Sequence, residues 1–141
     1  MKKTKVLLVD DHLESRKVVK DFLASYDTVN IVGEAVEGNE VMKKVQTLIP
    51  DVVLMDISMP QRNGIEMTQY IKQRWPAIKV VIVTMHDNPV YRIQANEVRA
   101  DGFILKSSFK EGLEGLFGAR THAPGMKARF KKHTSDIGVP A

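Results

Sequence analysis

The chain has 141 residues, of which 43% are hydrophobic and 27% are charged, as in an ordinary globular domain. This length allows one domain with its own core and is too short for two full domains. The absence of cysteine excludes disulfide bonds, thiol nucleophiles and cysteine-ligated zinc. No apolar run reaches the ~20 residues of a membrane span, and the run after the basic start is too short for a signal sequence. We therefore expect a cytoplasmic protein without membrane contact.

The formal net charge of +4 lies entirely at the end of the chain. Residues 1–118 contain 16 basic and 16 acidic residues, which leaves five of the 21 basic and one of the 17 acidic residues for positions 119–141. A neutral body with a basic end does not indicate a nucleic-acid-binding face. Because the end also lacks a helical pattern, we predict a domain at 1–118 and a flexible basic tail or linker at 119–141, without a DNA-binding domain.

Along the chain, short apolar runs alternate with longer amphipathic stretches, which is the pattern of repeated βα units. Strands are predicted at the apolar runs, residues 6–9, 29–34, 52–55, 80–83 and 101–105. Helices are predicted where apolar residues recur at helical spacing, residues 18–26, 41–49, 65–75, 89–98 and 109–117. Pro50 and Pro76 end the second and third helices, and the fourth helix has the weakest apolar stripe.

The predicted strands differ in how apolar they are. Those at 6–9, 52–55 and 80–83 are almost wholly apolar, as strands buried on both faces are. Those at 29–34 and 101–105 are more mixed, so we place them at the edges. With right-handed crossovers, this predicts an α/β fold: a doubly wound, five-stranded parallel sheet of order 2-1-3-4-5 with five helices. Its switch point lies between the first and third strands.

Polar side chains follow four of these strands at the point where each strand ends. They are Asp10 and Asp11, then Asp56, Thr84 and Lys106. Because the carboxyl ends of parallel strands meet at one edge of the sheet, we expect these side chains to share a pocket. Three acids with one lysine and one hydroxyl indicate a metal-assisted phosphoryl site.

With these residues, positions 1–118 resemble a response-regulator receiver domain of bacterial two-component signalling. The segments 52–60 (VVLMDISMP), 83–87 (VTMHD) and 100–106 (ADGFILK) are similar in particular to the receivers of LuxR-type transcription regulators. The resemblance implies the flavodoxin-like fold that the strand pattern also predicts.

The resemblance further implies a phosphoacceptor and a metal site. Asp56 would take a phosphoryl group from a phosphohistidine on a sensor histidine kinase or a phosphotransfer protein. Asp10, Asp11 and Asp56 would hold Mg²⁺ together with the backbone carbonyl of Ser58. Mg²⁺ suits such a site because it binds few carboxylates and adds phosphate oxygens as ligands.

The same resemblance implies roles for the residues around the phosphoacceptor. Lys106 would pair with a phosphoryl oxygen and Thr84 would offer it a hydroxyl group. Thr84 and Phe103 would act as the switch, through which phosphorylation changes the surface of the fourth helix, fifth strand and fifth helix. That surface would bind a downstream output protein or a second copy of the chain. Ser58 and His86 occupy positions that tune dephosphorylation in this family.

Two features depart from the family pattern. LuxR-type receivers commonly have a glycine before the ADG segment, whereas this chain has Arg99. A left-handed cap at that position would strain a non-glycine residue by roughly 1 kcal/mol. In addition, residues 119–141 are too few to form a helix-turn-helix.

Three other functions remain open at this point. The chain would be the N-terminal part of a DNA-binding LuxR-type regulator if the reading frame continued. It would be an aspartate-nucleophile phosphohydrolase if it turned over small phosphate esters, although Ser58 stands where such enzymes have a second aspartate. It would be a phosphorylation-independent scaffold if the site were inactive. We favour a phosphoacceptor signalling module over an enzyme.

Simpler interpretations also exist for single residues. Asp11 could cap the first helix, because aspartate is a favoured N-cap residue. Phe103 could be an ordinary core residue. His12 and His86 lie near the predicted pocket, but nothing in the sequence makes them ligands, because Mg²⁺ prefers oxygen.

Overall fold

The computed structural model describes residues 2–59 and 62–118. The strands are β1 (Thr4–Val9), β2 (Val29–Ala35), β3 (Val52–Met55), β4 (Lys79–Thr84) and β5 (Gly102–Leu105). The helices are α1 (Leu13–Leu23), α2 (Gly38–Leu48), α3 (Gly64–Arg74), α4 (Pro89–Glu97) and α5 (Phe109–Phe117), with a short 3-10 turn at Lys106–Ser108. All the predicted strands and helices are present, and the predicted tail at 119–141 lies outside the described residues.

The strands form one parallel sheet in the order β2-β1-β3-β4-β5, which confirms the predicted topology. The two strands with mixed composition lie at its edges, as expected. The pairing of β1 with β3 aligns Val9 with Met55. Asp10 and Asp56 directly follow these two residues, so the strand register alone brings both aspartates to the same point on the sheet edge.

Alternate residues of the strands supply two separate cores. Leu7 and Val9 pack towards α2, α3 and α4, whereas Val6 and Leu8 pack towards α1 and α5. All four are at most 3% exposed. Because both faces of the sheet are covered, the central strands are apolar throughout, which is the feature that identified them in the sequence.

The first helix begins and ends earlier than predicted. α1 ends at Leu23, and Tyr26 lies beyond it. Tyr26 is nevertheless buried, and its hydroxyl donates a hydrogen bond to the carbonyl oxygen of Gly118 at 2.6 Å. Helical spacing thus predicted correctly that Tyr26 is buried, but wrongly that it belongs to the helix. A side chain that packs against the core just after a helix has the same spacing as one in a further helical turn.

The fourth helix has the weak apolar face that its sequence indicated. Within α4 only Ala95 is fully buried, while Val90 and Ile93 are 51% and 58% exposed. No helix in the described part of the chain is long and apolar enough to cross a membrane.

Arg99, just after α4, has the left-handed backbone conformation that its position predicted, with φ of 66°. Because a Cβ atom in this region crowds the neighbouring carbonyl oxygen, we expect Arg99→Gly to raise the free energy of unfolding by about 1 kcal/mol. Urea unfolding of the two proteins measures this difference.

Arg99→Ala is the matched control, since alanine keeps the Cβ atom and removes the rest of the side chain. Its stability should stay within about 0.5 kcal/mol of the parent protein. An equal gain in both variants would assign the effect to the arginine side chain and contradict backbone strain as the cause.

Candidate functional site

The carboxyl edge of the sheet forms an acidic pocket between the ends of β1, β3 and β4. Asp10 and Asp56 are each 3% exposed and Thr84 is fully buried, whereas Asp11 is exposed. Asp56 is held beside β1 by its backbone N–H, which donates to the carbonyl oxygen of Val9 at 2.9 Å. Burying a carboxylate costs free energy unless a cation or hydrogen bonds compensate its charge, so this pocket requires a positively charged group.

Lys106 supplies that charge from the end of β5. Its ammonium group donates to Asp10 Oδ2 at 2.8 Å and to Asp56 Oδ2 at 3.3 Å, and its side chain is 13% exposed. The predicted meeting of Asp10, Asp56 and Lys106 is therefore present, although the three residues are up to 96 positions apart in sequence.

The two buried carboxyl groups have different proton affinities. Burial raises the pKa of Asp10, but hydrogen bonds from the Lys106 ammonium, the His12 backbone and the Ser15 hydroxyl outweigh it, so that the net pKa lies below the usual value. Burial also raises the pKa of Asp56, and the neighbouring Asp10 carboxylate raises it further. The charge of Lys106 lowers this pKa but does not outweigh them, so the net pKa of Asp56 lies above the usual value. The pocket thus stabilises charge on Asp10 and disfavours it on Asp56 unless a further cation enters.

His12 is the pocket residue that sequence reasoning did not select. Its backbone N–H donates to Asp10 Oδ1 at 2.9 Å. Its ring atom Nδ1 lies 3.0 Å from Asp11 Oδ1, 3.2 Å from Asp10 Oδ1 and 3.8 Å from Asp56 Oδ2. The only sequence signal was its place directly after two aspartates, at a strand end that the pattern already marked.

The structure also corrects the interpretation of Asp11 as a helix cap. The N-cap residue of α1 is His12, and it makes no side-chain capping hydrogen bond. Asp11 instead lies beside the imidazole of His12. Its carboxylate therefore belongs to the pocket.

The opposite side of the pocket comes from the loops after β3 and β4. The backbone N–H of His86 donates to Thr84 Oγ1 at 3.1 Å, and His86 Nε2 lies 3.0 Å from Ser58 Oγ. The His86 ring also contacts the ring of Tyr91, with centroids 5.4 Å apart. Ser58 is linked to the acidic side through its backbone N–H, which lies 3.4 Å from Asp56 Oδ1.

Phe103 lies within the core on the α4 side of the sheet, apart from these polar contacts. Its ring is 1% exposed, and the guanidinium carbon of Arg92 lies 4.6 Å from the ring centroid. The ring is thus packed between the core and a cation on α4.

Gly64 shapes the loop that carries Asp56. A Cβ atom at this position would lie 2.1 Å from the backbone oxygen of Asp56 and 2.9 Å from Met55 Cγ. The Gly64 N–H donates to the carbonyl oxygen of Ile57 at 2.8 Å. Only glycine allows α3 to begin this close to the end of β3.

The comparison with known protein families agrees with this geometry. The family model described as the response regulator receiver domain matches residues 6–116. The chain belongs to this family.

The chain is also similar to individual curated regulators. It is 34% identical over 111 residues to the transcriptional regulatory protein DegU of Brevibacillus brevis, covering 79% of this chain and 47% of DegU. It is 39% identical over 106 residues to the response regulator protein VraR of Staphylococcus saprophyticus, covering 74% of this chain and 50% of VraR. The chain thus spans about half the length of the curated relatives it matches.

A solved structure of a LuxR-family regulator is similar to the chain as well. A two-component response regulator of the LuxR family from Aurantimonas sp. SI85-9A1 superimposes with a TM-score of 0.74 at 28% identity, covering 84% of this chain and 88% of that one. The chain is therefore a flavodoxin-like receiver domain of a LuxR-type response regulator, a component of two-component signalling.

Proposed function

We propose that this receiver takes a phosphoryl group onto Asp56 from a phosphohistidine of a sensor histidine kinase or a phosphotransfer protein. A carboxylate oxygen of Asp56 would form a bond to phosphorus while the phosphorus–nitrogen bond breaks, and the donor imidazole would leave with the electron pair. The observation that carries this proposal is the contact of the Lys106 ammonium with both buried carboxylates, because it places one cation beside the nucleophile.

The acidic donor set fits Mg²⁺. One ligand atom from each of Asp10, Asp11 and Asp56 lies within 4.8 Å of the others, and carboxylate oxygens are the hard ligands that this ion prefers. We propose that these residues hold it together with the backbone carbonyl of Ser58. When bound, Mg²⁺ offsets the negative charge of the phosphoryl oxygens.

Lys106 and Thr84 would bind the phosphoryl group after transfer. The Lys106 ammonium already bridges Asp10 and Asp56, so it can exchange its longer contact, 3.3 Å to Asp56, for a phosphoryl oxygen. Thr84 Oγ1 accepts a hydrogen bond from the His86 backbone, which leaves its own proton free to be donated.

The switch would connect this pocket to α4, β5 and α5. Thr84 ends β4 and pairs with Leu105 of β5, two residues after Phe103. Movement of Thr84 towards a phosphoryl group would stabilise the inward packing of the Phe103 ring and reposition α4 above it. The surface changed in this way would contact a downstream output protein or a second copy of the chain.

The contact between Ser58 and His86 spans the exposed side of the pocket. We therefore propose that these two side chains tune the rate at which water reaches the phosphorylated Asp56.

The proposed organisation is a cytoplasmic receiver unit at residues 1–118 followed by a linker at 119–141. The matched segment covers only about half of each relative, and one relative is named a transcriptional regulatory protein. These matches favour an output in which the receiver controls a DNA-binding domain elsewhere in a longer protein. Nucleic-acid binding is not proposed for residues 1–118, whose charge is balanced.

The proposal is tested by intact-mass spectrometry of the chain after incubation with acetyl phosphate and Mg²⁺. We expect one phosphoryl adduct, which disappears with EDTA and in Asp56→Asn. Asparagine has nearly the same shape as aspartate but cannot form the acyl phosphate, so it is the matched control.

An adduct of equal yield in Asp56→Asn would contradict the assignment of the phosphoacceptor. Steady release of phosphate from small esters would support the phosphohydrolase instead. Absence of an adduct together with absence of a beryllofluoride complex would overturn the phosphoacceptor function altogether.

A further inference from the structure

Two neighbouring residues of α4 connect this helix to both residues of the proposed switch. The ring of Tyr91 contacts the ring of His86, with centroids 5.4 Å apart, and the backbone N–H of His86 donates to Thr84 Oγ1 at 3.1 Å. The guanidinium carbon of Arg92 lies 4.6 Å from the centroid of the Phe103 ring. Helix α4 is therefore linked to Thr84 through His86 and contacts Phe103 directly.

Helix α4 has little other packing to fix its position. Ala95 is its only fully buried residue, whereas Val90 and Ile93 are 51% and 58% exposed. Arg92 is half-buried, and a long side chain of this kind places its apolar stem against the core while its charged end stays accessible. Because so little else is buried, the contact of Arg92 with the ring is a substantial part of what holds α4 against β5.

The contact with Arg92 favours one position of the Phe103 ring over any other. The ring is 1% exposed, and burial of its apolar surface favours this inward position whichever side chain occupies position 92. The attraction to the guanidinium group exists only while the ring lies beneath α4, so it adds to the inward position alone. An attraction of this kind at a partly buried site changes an equilibrium constant by about fivefold.

We propose that Arg92 is a positioning residue of the switch, which holds the Phe103 ring inward and presets α4 in the arrangement that a phosphoryl group on Asp56 favours. Tyr91 would transmit the movement of Thr84 to α4, and Arg92 would transmit it to the ring. The receiver without a phosphoryl group is then already biased towards its phosphorylated form, so that phosphorylation is easier. The inward position of the ring stands on the geometry, and only the effect on phosphorylation rests on the proposed phosphoacceptor function.

The first test measures the exposure of the Phe103 ring by fluorine NMR of the full chain labelled with para-fluorophenylalanine, with Phe103→Leu assigning the resonance. The change in this resonance between light and heavy water reports contact with solvent. We expect a small change in the parent protein and a larger one in Arg92→Met, which keeps an unbranched apolar stem and loses the charge. Arg92→Lys should resemble the parent protein, since lysine retains a cation near the ring. An unchanged resonance in Arg92→Met would overturn the proposal.

The second test measures the affinity for beryllofluoride in the presence of Mg²⁺ by calorimetry, and the rate at which acetyl phosphate forms the adduct. Both should fall about fivefold in Arg92→Met and stay within about twofold of the parent protein in Arg92→Lys. In the Phe103→Leu background, Arg92→Met should have no further effect, because the aromatic ring is already absent. An equal loss in both backgrounds would show that Arg92 acts through general stability, and would overturn its action through the ring.

Arg74→Met is the matched control, because it removes a similar contact far from the switch. The guanidinium carbon of Arg74 lies 5.1 Å from the centroid of the Trp75 ring. Arg74 is the last residue of α3, whose first residue lies beside Asp56. We expect the parent's fluorine resonance and beryllofluoride affinity in this variant. A loss equal to that of Arg92→Met would contradict a specific role of Arg92.

The two tests together separate this inference from the phosphoacceptor function. A normal adduct in both the parent protein and Arg92→Met, with an unchanged Phe103 resonance, would contradict the role of Arg92 alone. A ring that becomes exposed in Arg92→Met, in a protein that forms neither an adduct nor a beryllofluoride complex, would contradict the phosphoacceptor function alone.

Discussion

Gly64→Ala should lower the free energy of unfolding by about 3 kcal/mol and distort the loop that carries Asp56. The new Cβ atom would lie 2.1 Å from the backbone oxygen of Asp56. Neither atom can move by rotating a side chain, because one belongs to a strand end and the other to the first residue of α3. Relief therefore requires α3 to shift away from β3, which also displaces Asp56 from Lys106.

Gly38→Ala is the matched control, since Gly38 is the first residue of α2 as Gly64 is of α3. Its Cβ atom would lie 3.0 Å from Cβ of Arg62, a contact that a shift of only a few tenths of an ångström would relieve. We expect its stability to change by less than about 1 kcal/mol. Urea unfolding and the acetyl phosphate assay measure both effects, and equal behaviour of the two variants would contradict this account of Gly64.

Lys106→Met should produce the second large effect, on both stability and phosphorylation. Methionine retains most of the apolar stem and removes the charge, so packing is largely preserved. The change leaves Asp10 and Asp56 facing each other, each 3% exposed, without their cation. At pH 7 and without divalent metal we expect a loss of about 2 kcal/mol, because an uncompensated buried charge is costly but a carboxyl group can take up a proton instead. The phosphoryl adduct should form far more slowly, since the developing phosphoryl charge loses its lysine partner.

This loss should depend on pH. In the parent protein, the pKa of Asp10 is lowered mainly by Lys106 against the effect of burial, so Asp10 stabilises the fold above its usual pKa of 3.8 and this contribution is lost as the pH falls through the folded value. Without Lys106, burial dominates and raises the pKa of both carboxyl groups. A raised carboxyl pKa weakens the fold as the pH rises from 3.8 through the folded value. The deficit of Lys106→Met should therefore be largest at pH 7, shrink as the pH falls, and disappear only below the lowered folded pKa of Asp10.

The double variant Lys106→Met/Asp56→Asn provides the internal control. Removing one of the two carboxylates should restore most of the lost stability at neutral pH, because the remaining Asp10 no longer has a charged neighbour. Urea unfolding across the pH range measures this coupling. A deficit that is independent of pH, or no rescue in the double variant, would show that lost packing and not charge explains the effect.

Much of the site could be predicted because each residue stands at a strand end. Three of them, Asp10, Asp56 and Lys106, directly follow a strand, and Thr84 is the last residue of one. All parallel strands of the sheet end at one edge, so these side chains lie together. The strain at Arg99 was predictable for a similar reason, because the end of a helix has a defined backbone geometry.

Other features of the site were not predictable, because they depend on distances between separate loops. The position of His12 Nδ1 among three carboxylates depends on the direction in which the side chain leaves the start of α1. The contact of Ser58 with His86 joins loops that are 28 residues apart. Neither contact has a periodic signal in the sequence.

By itself, the sequence determined the class of fold, the order of the strands and the edge where the chemistry lies, because hydrophobic periodicity and strand-end positions are local properties of the chain. The tertiary structure alone decided the shared use of Lys106 by Asp10 and Asp56, the opposite pKa shifts of these two carboxyl groups, and the close approach of Gly64 to the backbone of Asp56. The physical reason is that burial, electrostatic coupling and steric contact depend on distances of a few ångströms between segments that are far apart in the chain.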